Sequence, residues 1–83
     1  MFVTWYLDYN LIMSENIFGS RIKELRTQGG LTLQQLSERT GIHFSTLGHW
    51  ETGIRDNASM KSLIVLAKYF DVSVDYLVGL KEY

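Results

Sequence analysis

Leu31-Thr-Leu-Gln-Gln-Leu-Ser-Glu-Arg-Thr-Gly-Ile-His-Phe-Ser-Thr-Leu-Gly-His-Trp-Glu-Thr-Gly53 is the stretch that decides the fold of this chain. It reads as two short helices joined by a tight turn at Gly41. Thr32 is a good N-cap, and Leu33, Leu36 and the methyl of Thr40 follow it at i, i+3 and i+7 on one helical face. Beyond Gly41, Ile42, Leu47 and Trp50 give a second apolar stripe. The first helix is predicted over Leu33 to Thr40 and the second from Phe44 to Glu51 or Thr52, with Gly53 ending it.

Working outward, the same periodicity predicts three more helices. An earlier helix covers about Glu15 to Gln28, with Ser14 as its N-cap and Ile17, Phe18, Ile22 and Leu25 as its apolar face; Gly29-Gly30 stops it. Ser59 caps a fourth helix whose stripe is Met60, Leu63, Ile64, Ala67 and Phe70, closed by Asp71. Ser73 caps a short fifth helix holding Val74, Leu77 and Val78. No strand-type alternation occurs after residue 16, so the expected fold class is an all-α five-helix domain.

Composition sets the outer bounds. Eighty-three residues make one domain near the lower limit for a self-sufficient core, and 46% apolar residues are ample to fill it. Cysteine is absent, which excludes disulfides, thiol chemistry and Cys-based zinc sites and suits a reducing cytoplasm. His43 and His49 lack the further ligands of a metal site. No apolar run approaches the roughly 18 residues of a membrane span. Gly29-Gly30 is too short for a phosphate-binding loop, and no nucleophile, base and acid fall on one face. An enzyme, a cofactor and a small-molecule ligand are therefore not expected.

The charge is less helpful. The chain carries a net −1, and residues 17–59 hold Arg21, Lys23, Arg26, Arg39 and Arg55 against Glu24, Glu38, Glu51 and Asp56. That is a thin basic footprint for a partner made of phosphates. Residues 1–12 stand apart, with Phe2, Trp5, Tyr6 and Tyr9 beside a single charge at Asp8. A basic n-region and a small-residue cleavage site are missing, so a signal peptide is not read there. Met13 resembles a start, which leaves three readings open: an extension without a role, a segment packed on its own domain, or an intermolecular contact. The expected division is an aromatic extension over 1–14 and a domain over 15–83.

From Ile17 to Gly79 the chain resembles the Cro/C1-type helix-turn-helix domain of phage repressors and bacterial regulators, a lambda-repressor-like fold. The resemblance is carried by Arg21-Ile-Lys-Glu-Leu-Arg26, Leu31-Thr32, Gly41-Ile42 and Trp50-Glu51-x-Gly53. It continues through Leu63 to Ala67 and Val72-Ser-Val-Asp-Tyr-Leu-Val-Gly79. It implies a sequence-specific DNA-binding transcriptional regulator, a repressor that binds a palindromic operator in double-stranded DNA as a homodimer. The third helix would enter the major groove, with Phe44, Ser45, Thr46 and His49 as base readers. Thr32, Gln34, Thr52 and Arg55 would meet phosphates, helped by the amides at the start of the second helix.

Five positions carry their own chemistry within that resemblance. Phe44 either faces the groove, where its ring can meet a thymine methyl, or packs into the core or an interface. Arg26 and Glu51 are implied to form an ion pair tying the first helix to the end of the third. Leu33 stands where the family usually has a glutamine, and His43 where it has a serine or threonine cap; the imidazole can accept from an amide when neutral. Tyr76, Leu80 and Tyr83, or the aromatic N-terminus, are candidate dimer contacts. A different class remains open: a protein-interaction module, antirepressor or antitoxin-like, motivated by Leu33, Phe44, Ile54 and residues 2–12.

Overall fold

The structure, a computed structural model, describes residues 16–55 and 57–83. Among these, five helices follow one another without a strand: α1 (Ile17–Gln28), α2 (Leu33–Thr40), α3 (Phe44–Thr52), α4 (Met60–Phe70) and α5 (Val74–Val78). The readings of residues 1–12, of Ser14 as a cap and of Glu15 as a helical start lie outside the described residues. The observed cap of α1 is Asn16, in the left-handed region at φ 51°. Asparagine tolerates that conformation because its short amide can bond locally. Its Oδ1 accepts from the Gly19 amide at 3.4 Å, while Nδ2 donates to the carbonyls of Trp50 and Glu51 at 3.0 and 3.3 Å. One side chain thus starts α1 and satisfies the end of α3.

The turn between α2 and α3 is built by backbone rules. Thr32 Oγ accepts from the Gln35 amide at 3.0 Å, and Gln35 Oε1 accepts from the Thr32 amide at 2.9 Å. This reciprocal capping box is written in Thr-x-x-Gln. Gly41 then adopts φ 77° and its amide donates to the Ser37 carbonyl at 2.8 Å. A side chain at that φ is strained, so glycine is what lets the chain reverse within three residues.

Ile22, Leu36, Leu47, Leu66 and Leu77 are wholly buried, with Trp50 and Ala67 nearly so. Each helix contributes at least one of them. α1 packs against α3 and α5, α2 against α3 and α4, and α4 against α5. α1 lies close on α3: a Cβ on Gly19 would stand 1.9 Å from the Trp50 carbonyl oxygen. No other residue fits at position 19.

Two expectations about faces need correction. On α4, Met60 is 68% and Ile64 41% exposed, whereas Leu66, absent from the expected stripe, is fully buried. The helix is apolar almost all round, so its sequence offers two overlapping stripes; packing buries Leu66 and Ala67 and sets Phe70 against the core, at i, i+1 and i+4. On α5, Leu77 is buried and Val74 and Tyr76 pack against the core, but Val78 is 39% exposed. Among the described residues, no helix is long and apolar enough to cross a membrane.

Candidate nucleic-acid interface

Helix α3 divides cleanly at about 100° per residue. Leu47 and Trp50 point into the core, with the Trp50 ring 5.4 Å from that of Phe18. The opposite side carries Ser45, Gly48, His49 and Thr52, with Phe44 at its edge. Phe44, Ser45 and Thr52 are exposed, and Gly48 and His49 half-buried. Thr46, expected among the base readers, is half-buried and stands off this side, at the edge next to Trp50.

At its leading end α3 is capped by His43. The Ser45 amide donates to His43 Nδ1 at 3.1 Å, and the Ser45 hydroxyl lies 2.8 Å from the same nitrogen. The Phe44 ring stacks on the imidazole, centroids 4.5 Å apart and planes at 25°. Of the places open to Phe44 in the sequence, the core is not the one it occupies: it is 47% exposed.

The phosphate candidates lie around this helix. Thr32 is engaged in the capping box, Gln34 is exposed at the first turn of α2, and Arg55 is exposed just beyond α3. The Thr52 hydroxyl donates to the carbonyls of Gly48 and His49 at 3.0 and 3.3 Å. Leu33 has a structural part: its Cδ1 lies 3.6 Å from where a Cβ on Gly48 would stand, so it bridges α2 and α3 by contact.

Three of the four arginines serve the protein itself. Arg21 donates to the carbonyls of Tyr76 and Lys81 and lies 4.3 Å from the centre of the Tyr76 ring. Tyr76 is therefore held beneath a guanidinium, while Leu80 and Tyr83 are 76% and 84% exposed. Arg39 donates to the Tyr69 hydroxyl at 2.9 Å.

Arg26 meets Glu51 in a bidentate pair, Nε to Oε2 at 2.7 Å and Nη2 to Oε1 at 2.9 Å. Its Nη1 also donates to the Leu31 carbonyl at 2.8 Å. The two side chains are 13% and 5% exposed. The hydrogen bond to Glu51 raises the arginine pKa above its ordinary value, against the opposing effect of burial and aided by the carboxylate charge. The pair locks the end of α3 to α1 and to the start of α2.

The helix-turn-helix family model matches residues 22–77. The chain belongs to the Cro/C1-type helix-turn-helix family. It is 36% identical over 66 residues to the uncharacterized HTH-type transcriptional regulator YobD of Bacillus subtilis (strain 168), covering 80% of this chain and 58% of that protein. It is 34% identical over 66 residues to the HTH-type transcriptional regulator SinR of the same organism, covering 80% and 60%. The control protein C.SmaI of Serratia marcescens is 32% identical over 80 residues, covering 93% of this chain and 88% of the relative. The chain thus spans little more than half of YobD and SinR. No solved structure gives a significant match.

The matched region of this helix-turn-helix protein runs from Ile22 to Leu77, both of them buried, and contains the whole of α2 and α3. Several residues that set the site were not singled out in the sequence. Gln35 was legible in the Thr-x-x-Gln spacing, and Gly19 as an isolated glycine inside a helical pattern. The second use of Asn16, across to α3, leaves no trace in local sequence.

Proposed function

We propose that this chain is a sequence-specific DNA-binding transcriptional regulator, a repressor that binds a two-fold symmetric operator as a homodimer with α3 in the major groove. The observation that carries the reading is the outward side of α3, which no other described residue covers and which presents Phe44, Ser45 and His49 from a helix-turn-helix scaffold. Relatives named as transcriptional regulators support it. One recognition helix reads few base pairs, so two half-sites about one helical turn apart supply useful affinity. In this reading Phe44, Ser45, His49 and, from the edge, Thr46 meet base edges. Arg55, Thr52, Gln34 and Thr32 meet phosphates, with the first amides of α2 as further donors.

The decisive experiment is selection of duplexes from a random pool by the purified protein, followed by anisotropy titration at two salt concentrations. A two-fold symmetric consensus with salt-dependent affinity supports the reading. The second reading, a protein-interaction module, draws on Ile54, 69% exposed beside α3, and on the few basic side chains near it. Failure of every duplex to bind in a salt-sensitive way favours that one.

A further inference from the structure

At the leading end of α3, one group that cannot change its role decides the roles of its neighbours. The Ser45 backbone N–H points at His43 Nδ1 across 3.1 Å, and an amide can only donate. Nδ1 therefore carries a lone pair, and in the neutral ring the proton sits on Nε2. The Ser45 hydroxyl lies 2.8 Å from the same Nδ1, so it too donates there, and the two donors share one lone pair. A hydroxyl has a single proton. With that proton directed at His43, only the lone pairs of Oγ are left for another partner. Phe44, stacked on the imidazole, holds the ring plane in place.

We propose that His43 makes Ser45 an acceptor-only reader, which selects a base bearing an amino group in the major groove, adenine or cytosine, over guanine or thymine. The proposal rests on the reading of α3 as the recognition helix. Adenine N6 and cytosine N4 donate in the major groove, whereas guanine O6 and N7 and thymine O4 only accept. An unconstrained serine hydroxyl can rotate to suit any of these and so discriminates little. His43 is a positioning residue here: it reads no base by this contact but removes half of what Ser45 can say.

Two measurements test it. In the DNA-free protein at mildly alkaline pH, a long-range proton–nitrogen spectrum should show His43 with its proton on Nε2; a proton on Nδ1 overturns the proposal. Duplex selection is then run with the parent, Ser45→Ala, His43→Ala and His43→Asn, each checked for folding by thermal melting. The parent should prefer adenine or cytosine at one position of each half-site by about three- to ten-fold. Ser45→Ala should lose that preference. His43→Ala should widen it to all four bases while binding more weakly. His43→Asn, whose carbonyl oxygen can accept both bonds, should restore it. A preference for guanine or thymine at the Ser45-dependent position, no such position, or identical selection by parent and His43→Ala overturns this assignment alone. A parent that binds no duplex overturns the reading of α3, and this assignment with it.

Discussion

Arg26 and Gly19 show how single residues hold α3 where it is. Replacing Arg26 by leucine leaves the Glu51 carboxylate, 5% exposed, without its guanidinium. Breaking one side of such a pair costs about 3 kcal/mol, and each kcal/mol moves the melting temperature of a domain this size by about 4–8 °C. Arg26→Leu should therefore melt at least about 10 °C lower, while the base preference of whatever duplex it still binds stays that of the parent. Equal melting temperatures would refute the bridge. The arginine pKa is raised in the fold, so its contribution is complete below the unfolded value and lost only as pH climbs through the higher folded one. Stability near neutral pH does not depend on its titration. Gly19→Ala forces a Cβ against a backbone oxygen that cannot swing aside, and should cost about 3 kcal/mol in denaturant titration. An unchanged midpoint would mean that α1 and α3 are not so close.

At the scale of elements, α3 carries a glycine in its middle, where alanine would be about 1 kcal/mol better. A Cβ on Gly48 would meet Leu33 Cδ1 at 3.6 Å, an ordinary contact. Gly48→Ala should therefore raise the melting temperature by a few degrees. The same methyl projects from the outward side of α3, so DNA affinity should fall as stability rises; a variant that melts lower contradicts the packing described. In α2, Thr32→Ala removes the capping hydroxyl and should cost about 1 kcal/mol by chemical denaturation, with no loss expected if Gln35 alone sustains the turn. The ends of α2 and α3 were legible because caps and glycines act over three or four residues. The inward face of α4 was not, because Met60 and Ile64 satisfy the helical period as well as Leu66 does.

For the whole molecule, electrostatics set the expected behaviour. Arg55 is the one cation among the expected phosphate contacts of each subunit, so a dimer should lose affinity with a log–log salt slope of only about −2. A slope of −6 or steeper, measured by anisotropy, would mean that many more cations reach the backbone than this arrangement supplies. The shortage has a structural origin. Arg21 and Arg26 are bound to carbonyls and a carboxylate, and Arg39 to a tyrosine hydroxyl. Counting charge along the chain could not separate them from Arg55.

Local sequence determined the helices, the caps of α2, α4 and α5, the Gly41 turn and most of the apolar positions, since each depends on neighbours within a turn or two. The Arg26–Glu51 pair, 25 residues apart, entered the sequence reading only through family resemblance. Tertiary structure alone decided the two-sided role of Asn16, the approach of Gly19 to Trp50 and the side of α4 that is buried. It also decided which arginines are taken. These are matters of where one helix lies on another, and that is set by the joint packing of all five rather than by the residues next in line.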